Sequence, residues 1–138
     1  FRGQRIFGAH KTWRGLILGT SAAVGFAHLQ ALLEPSMTEW IVLSYQQTNP
    51  TVLGFLLGFG ALIGDAGESF LKRQRGIPPG QPWLPWDQTD WIIGGLLLVS
   101  CYVILPWYAY PAILLSYGAL HPLANGFAYL VGWQSNKL

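Results

Sequence analysis

The chain has 138 residues, of which 51% are hydrophobic and only 10% charged, and a formal net charge of +2. So small a charge, gathered in three segments instead of along a stripe, argues against nucleic acid as a partner, and a single cysteine, Cys101, excludes both a disulfide framework and a thiolate metal cluster. Four apolar stretches of roughly 15 to 21 residues leave too few polar side chains to cover a soluble core, whereas a bilayer accommodates them together with seven Trp and six Tyr.

Arg2, Arg5, Lys11 and Arg14 come before the first apolar stretch, Lys72, Arg73 and Arg75 lie between the second and third, and Lys137 follows the fourth. The positive-inside bias makes all three segments cytoplasmic. The chain begins at Phe1 with no n-region or cleavage site before the apolar material, so no signal peptide is expected and the N-terminus reads as truncated. A first span is expected from Trp13 to Leu33, ended by Glu34-Pro35, and a second from Thr51 to Phe70, with Asn49-Pro50 as its start signal. Between them the apolar patch Trp40–Leu43 is too short to cross and suits the interface. A third span is expected from Trp91 to Leu105 and a fourth from Pro111 to Val131, with Trp107, Tyr108 and Tyr110 as anchors on the far side. These runs are too long and lack the alternation of barrel strands, so the expected fold is an all-α, polytopic membrane helix bundle with four spans, forming a single domain over residues 1–138. Gly15, Gly19, Gly54, Gly58, Gly60 and Gly64 stand at small-xxx-small spacing, which favours close helix packing and leaves a homodimer open.

The segment from Gly64 to Trp91 holds four of the six acids. Asp65, Glu68, Ser69 and Lys72 are spaced i, i+3, i+4 and i+7 and so share one face at the end of the second span. A carboxylate at that depth pairs with a base or binds something, which makes Asp65 a functional candidate; the plainer alternative is an ion pair from Asp65 or Glu68 to Lys72 that only orders the helix end. Gly76, Pro78, Pro79, Gly80, Pro82 and Pro85 set a stiff, turn-rich loop, and Asp87 and Asp90 follow at i, i+3 before the third span. Either these two acids cap that helix or, with Asp65, they converge on a hard cation, for which Mg2+ is the natural choice. Such a site beside Lys11, Arg14, Lys72 and Arg73 suits a nucleoside triphosphate, because phosphoryl and nucleotidyl transfer rest on positioning and charge neutralisation. Thr12 and Trp13 add a hydroxyl and an interfacial ring, although anchoring of the first span is the simplest reading of that segment taken by itself. His10 stands beside Lys11, while His28 and His121 lie toward the far side of their spans.

Three separated motifs carry a resemblance: GAHKTWRG at Gly8–Gly15, GDAGESFLKRQRGIPPG with LPWDQTDW at Gly64–Trp91, and HPLANGFAYLVG at His121–Gly132. The chain resembles the CDP-archaeol synthases, membrane CTP transferases, and more remotely the phosphatidate cytidylyltransferases that make CDP-diacylglycerol. The Gly-Asp, Ser-Phe-x-Lys-Arg and Asp-x-x-Asp elements are the specific part. The resemblance implies transfer of CMP from CTP to an isoprenoid glycerol-ether phosphate at the membrane, with release of pyrophosphate and with Mg2+ at a cytoplasmic site. It implies metal and phosphate handling by Asp65, Asp87 and Asp90, catalysis by these acids with Lys72, and binding of CTP phosphates by Lys11, Arg14, Lys72 and Arg73. Thr12, Ser69 and Gln88 match polar positions suited to nucleotide contact, and Asn125 matches one with no derivable role. Two departures stand out: a further N-terminal span usual in the family is absent, and Pro78-Pro79 stands where a Lys or Lys-Asp often precedes the glycine.

The rival readings are a CDP-diacylglycerol synthase acting on phosphatidate, a small transporter using Asp65 and Glu68 as an intramembrane ion site, and a membrane anchor without activity. The transporter would need polar residues at mid-span, whereas the acids cluster at one interface.

Overall fold

A computed structural model describes residues 11–36, 43–78 and 81–130, with side chains to Leu120 and at Leu123. Arg2, Arg5, His10, Trp40, Pro79, Lys137 and the side chains of His121 and Asn125 lie outside the described residues. Four helices follow one another: α1 (Trp13–Leu33), α2 (Pro50–Gln74), α3 (Trp86–Val99) and α4 (Ala109–Leu130), with a 3-10 turn at Glu34–Ser36. Among the described residues there is no strand, as expected for an all-α chain. Among the described residues two helices, α1 with 21 residues and α2 with 25, are long and apolar enough to cross a membrane.

Local signals set the first two helices. Thr12 caps α1, its hydroxyl accepting the Gly15 N–H at 3.1 Å. Asn49 caps α2 by accepting the N–H groups of Thr51 at 2.9 Å and Val52 at 3.3 Å, with Pro50 opening the helix. α2 runs a turn beyond the apolar stretch, through Lys72 and Arg73, and stops where Gly76 takes a φ of 71° and the Ile77 N–H returns to the Lys72 carbonyl at 3.0 Å.

The third helix departs from expectation. It begins at Trp86, five residues before the apolar run, and ends at Val99 instead of Leu105. The Trp83–Pro85 turn nucleates it early, with the Trp86 and Asp87 N–H groups both donating to the Trp83 carbonyl at 2.9 and 3.2 Å. Its end is closed by turn bonds from Ser100 to Tyr102, before Pro106, which cannot continue a helix. Asp87 and Asp90 therefore sit inside the first turns of α3 and not ahead of it.

The helices pack through small residues while large apolar ones face outward. Leu18 is 69% exposed, Leu32 78% and Leu115 72%, and among the described residues no large side chain is fully buried. That inverted arrangement suits helices surrounded by lipid, where close backbone approach supplies the packing energy. A Cβ on Gly54 would lie 2.6 Å from the Val24 Cα, and one on Gly60 would lie 2.5 Å from the Gly94 carbonyl oxygen. Gly58 and Gly64 are in the same position, against Ala23 and against the Asp90 carbonyl. The glycines of α2 thus seat α1 on one side and α3 on the other. α4 lies on α3, where Tyr117 meets Trp91 edge-on with ring centroids 6.0 Å apart.

Candidate functional site

The close crossing of α2 and α3 determines where the acids meet. Because Gly64 leaves room for the Asp90 backbone, Asp65 and Glu68 at the end of α2 come against Asp90 in the first turns of α3. One carboxylate oxygen from each of Asp65, Glu68 and Asp90 lies within 4.8 Å of the others. α1 adds a cation, since Lys11, just ahead of the Thr12 cap, forms an ion pair with Asp65.

Asp87 faces a second, adjoining cluster. The Lys72 ammonium, with its side chain 11% exposed, lies 2.6 Å from Asp87 Oδ1 and 3.1 Å from Glu68 Oε1. The other Asp87 oxygen accepts the Trp83 N–H at 2.9 Å, so this acid braces the loop instead of capping α3, whose N-cap is Pro85 with no side-chain bond. Lys72 holds the interhelical loop to α2 through Asp87, and Glu68 belongs to both clusters.

The apolar run of α3 starts at Trp91, which leaves Asp87 and Asp90 in the polar turn ahead of it. Burial would raise the Asp87 carboxyl, but hydrogen bonds from Glu68, Lys72 and the Trp83 N–H hold it below the ordinary carboxylate range. Burial pushes Asp90 up, and the charges of Asp65 and Asp87 add to the rise, against opposition from the Trp91 N–H and Lys11. An acid whose charged form is disfavoured by its neighbours gains from a nearby cation.

Of the other expected residues, Arg14 is exposed on the first turn of α1, and Ser69 and Gln88 are half-buried on α2 and α3. Among the described residues none of these three side chains bonds to the acids. Thr12 is committed to its cap, and the Arg73 guanidinium donates to the Ile77 carbonyl at the end of its own helix. Two residues enter that the motif reading did not assign to the site. Glu68 stands where Asp87 was expected as the third clustered acid; its shared face with Asp65 was the available signal, read only as a source of ion pairing. Arg75 lies with its guanidinium 4.7 Å from the centroid of the Trp83 ring, a placement that depends on the loop fold and had no signal in the motifs.

Beside the acids a cavity of about 470 Å³ opens between α2 and α3, with Glu68, Arg75, Trp83 and Asp90 at its polar end. The acids themselves fit a hard divalent cation. Mg2+ takes oxygen ligands at about 2.1 Å, so two ligands of one ion stand at most about 4.2 Å apart. The three carboxylates need only a small inward movement from their 4.8 Å limit to reach that separation. Lys11 offsets one of the three charges, and cation binding would relieve the repulsion among the rest.

Comparison with known proteins identifies the family. The CarS-like family, described as CDP-archaeol synthase, matches residues 1–136. The CDP-archaeol synthase of Thermococcus onnurineus is 35% identical over 143 residues, covering 96% of this chain and 75% of that protein. That of Halobacterium salinarum is 36% identical over 138 residues, covering 94% and 75%, and that of Pyrococcus furiosus is 32% identical over 133 residues, covering 96% and 75%. No solved structure matches the chain. With its family match spanning nearly the whole sequence, its motifs in order and its acids gathered beside a base, the chain belongs to the CarS-like CDP-archaeol synthase family.

Proposed function

We propose that this chain is a multi-pass membrane cytidylyltransferase that moves CMP from CTP to archaeol phosphate, yielding CDP-archaeol and pyrophosphate at the cytoplasmic face. The observation that carries the reading is the meeting of Asp65, Glu68 and Asp90 from two helices, with Lys11 from the segment leading into a third, in a chain of this family. The basic residues Lys11, Arg14, Lys72, Arg73 and Arg75 all attach to that same end of the bundle, and the positive-inside bias makes it cytoplasmic.

In this reading a phosphate oxygen of the lipid forms the new bond to the α-phosphorus of CTP. The bond from that phosphorus to the bridging oxygen breaks, and pyrophosphate carries the electron pair away. A lipid phosphate is already ionised near neutrality, so no side chain needs to remove a proton. Asp65, Glu68 and Asp90 would hold Mg2+, which, when bound, neutralises phosphate charge. The geometry favours Glu68 over Asp87 in that set, because Asp87 is occupied by Lys72 and the Trp83 N–H. Lys72 fixes Asp87 and the loop, while Lys11, once free of Asp65, and the exposed Arg14 would contact CTP phosphates. Ser69 and Gln88 stand near enough in sequence to the acids to contact the nucleotide, and Arg73 and Thr12 would do so only after giving up their present bonds.

Purified protein in detergent or vesicles, given CTP, Mg2+ and archaeol phosphate, is expected to release pyrophosphate and form a CDP-lipid. Removing the cation with a chelator should stop turnover, and restoring Mg2+ should recover it. Formation of CDP-lipid in chelator, or none under any condition, would end the proposal.

A further inference from the structure

The cavity between α2 and α3 is wider than the chemistry at its head requires. From Glu68 and Asp90 it runs past Gly64, Ile93 and Gly94 to Leu97 and Leu98. Seven or eight residues of helix separate Asp90 from Leu97 and Leu98, a depth of about 10–12 Å at 1.5 Å per residue. That carries the groove from the polar head toward the middle of a hydrocarbon core about 30 Å thick. Its volume of about 470 Å³ is that of a small-ligand site. The rim opens sideways, since Ile63 is 48% exposed, Leu71 50% and Leu97 64%. At its mouth Arg75 lies against Trp83 and, among the described residues, has no acidic partner.

We propose that this groove receives an isoprenoid chain of the acceptor lipid and that Arg75 binds that lipid's phosphate. The inference rests on the cytidylyltransferase reading and adds where the acceptor lies. Charge complementarity selects the occupant. A guanidinium at the mouth matches a phosphate, the wall below it is apolar, and an amphiphile with an anionic head and a hydrocarbon tail satisfies both at once. An arginine steadied on an indole face keeps its fork of donors in place for such an anion. Glu68 and Asp90 line the same cavity as Arg75, so a phosphate bound there shares the groove with the candidate cation ligands.

Gly67 gives a clean probe, because it lines the groove and a Cβ added there meets nothing within 4 Å. Gly67→Ala adds a Cβ in open space and Gly67→Leu extends from it into the groove, and both residues are better helix formers than glycine. The experiment compares archaeol phosphate with a short-chain lipid phosphate as acceptors in wild type, Gly67→Ala and Gly67→Leu. One misfitted methylene in an apolar pocket changes selectivity roughly 10–200-fold, so Gly67→Leu should lower the ratio of long-chain to short-chain kcat/KM at least about tenfold, with Gly67→Ala between. Arg75→Gln should raise KM for the lipid phosphate and leave KM for CTP in place, and Arg75→Lys should recover part of the loss. An unchanged acceptor ratio in Gly67→Leu, or a rise in KM for CTP instead of the lipid in Arg75→Gln, would overturn the inference. Wild-type protein that makes no CDP-lipid from any acceptor would overturn the reading beneath it instead.

Discussion

The two ends of the bundle use polar side chains in different ways. At the end away from the acids, polar groups close turns. Both Glu34 oxygens accept the Tyr45 N–H at 3.2 and 3.1 Å, and the Tyr45 hydroxyl donates to Gln30 at 2.7 Å. Burial, and then the Glu34 charge, hold that phenol above its ordinary value. Asn49 caps α2, and its own N–H donates to the Tyr102 hydroxyl at 3.1 Å, tying the start of α2 to the end of α3. At the acidic end the contacts run between side chains far apart in sequence, Lys11 to Asp65 and Lys72 to Asp87, and three carboxylates crowd together. Groups that complete a turn satisfy a local requirement. Crowded like charges raise the energy of the resting protein and are tolerated where a ligand relieves them.

The sharpest test of that contrast is Lys72→Met. Removing the ammonium leaves Glu68 and Asp87 half or fully buried without their shared partner, and breaking a buried pair in this way costs about 3–5 kcal/mol. Chemical denaturation should register that loss, and the double variant Lys72→Met/Glu68→Gln should recover part of it. Equal losses in both would remove Glu68 from the cluster. The sign with pH follows from Asp87, whose carboxyl is held low in the folded protein. Its contribution is fully present above the ordinary carboxylate pKa and disappears as pH falls through its depressed one, so wild type should lose more stability than Asp87→Asn on acidification.

Asp65→Asn comes next. Its partner Lys11 is 29% exposed and Asp65 itself 41%, so the fold should survive the change. Loss of one preorganised electrostatic group in an active site costs on the order of 10²–10³ in rate, and CDP-lipid formation should fall by that much in protein with an unchanged melting profile. Retained activity would separate the acid cluster from catalysis.

Gly64→Val tests the crossing that makes the site. A Cβ there collides with the Asp90 carbonyl, which is backbone and cannot swing aside. Overpacking of this kind costs about 1–3 kcal/mol, and it should also spread Asp65 from Asp90 and weaken activity beyond the loss of folded protein. Gly25→Val, at a position where a Cβ meets nothing within 4 Å, is the control.

How much of this was legible from residues alone follows the same division. α1 matches its expected bounds because the start of the apolar run at Trp13 and Glu34-Pro35 at its end are local signals. The start of α3 was missed by five residues because hydropathy points to Trp91, whereas the turn at Trp83–Pro85 begins the helix earlier. Asp65, Asp90 and Lys11 were legible as candidates from charge and motif spacing. Their grouping with Glu68, and the turning of Asp87 toward Lys72, were not, since both depend on the rotation of α3 against α2 that Gly64 and Gly94 allow. Arg73 and Arg75 look interchangeable in sequence, yet the end of α2 at Gln74 sends one to the Ile77 carbonyl and the other over Trp83.

The smallest expected effect belongs to the opposite end, at Asn49. Its side chain serves two free N–H groups of α2, and replacing such a cap with alanine costs about 1 kcal/mol. Asn49 lies at the start of α2, sixteen residues before Asp65, or about 24 Å along the helix at 1.5 Å per residue. Asn49→Ala should therefore lower the melting temperature slightly while leaving KM for CTP and for the lipid phosphate where they were. Asn49→Ser, which keeps a capping oxygen, should restore the lost stability. A change in either KM with Asn49→Ala would mean that the outer turns communicate with the acids, and the division between a structural end and a chemical end would fail.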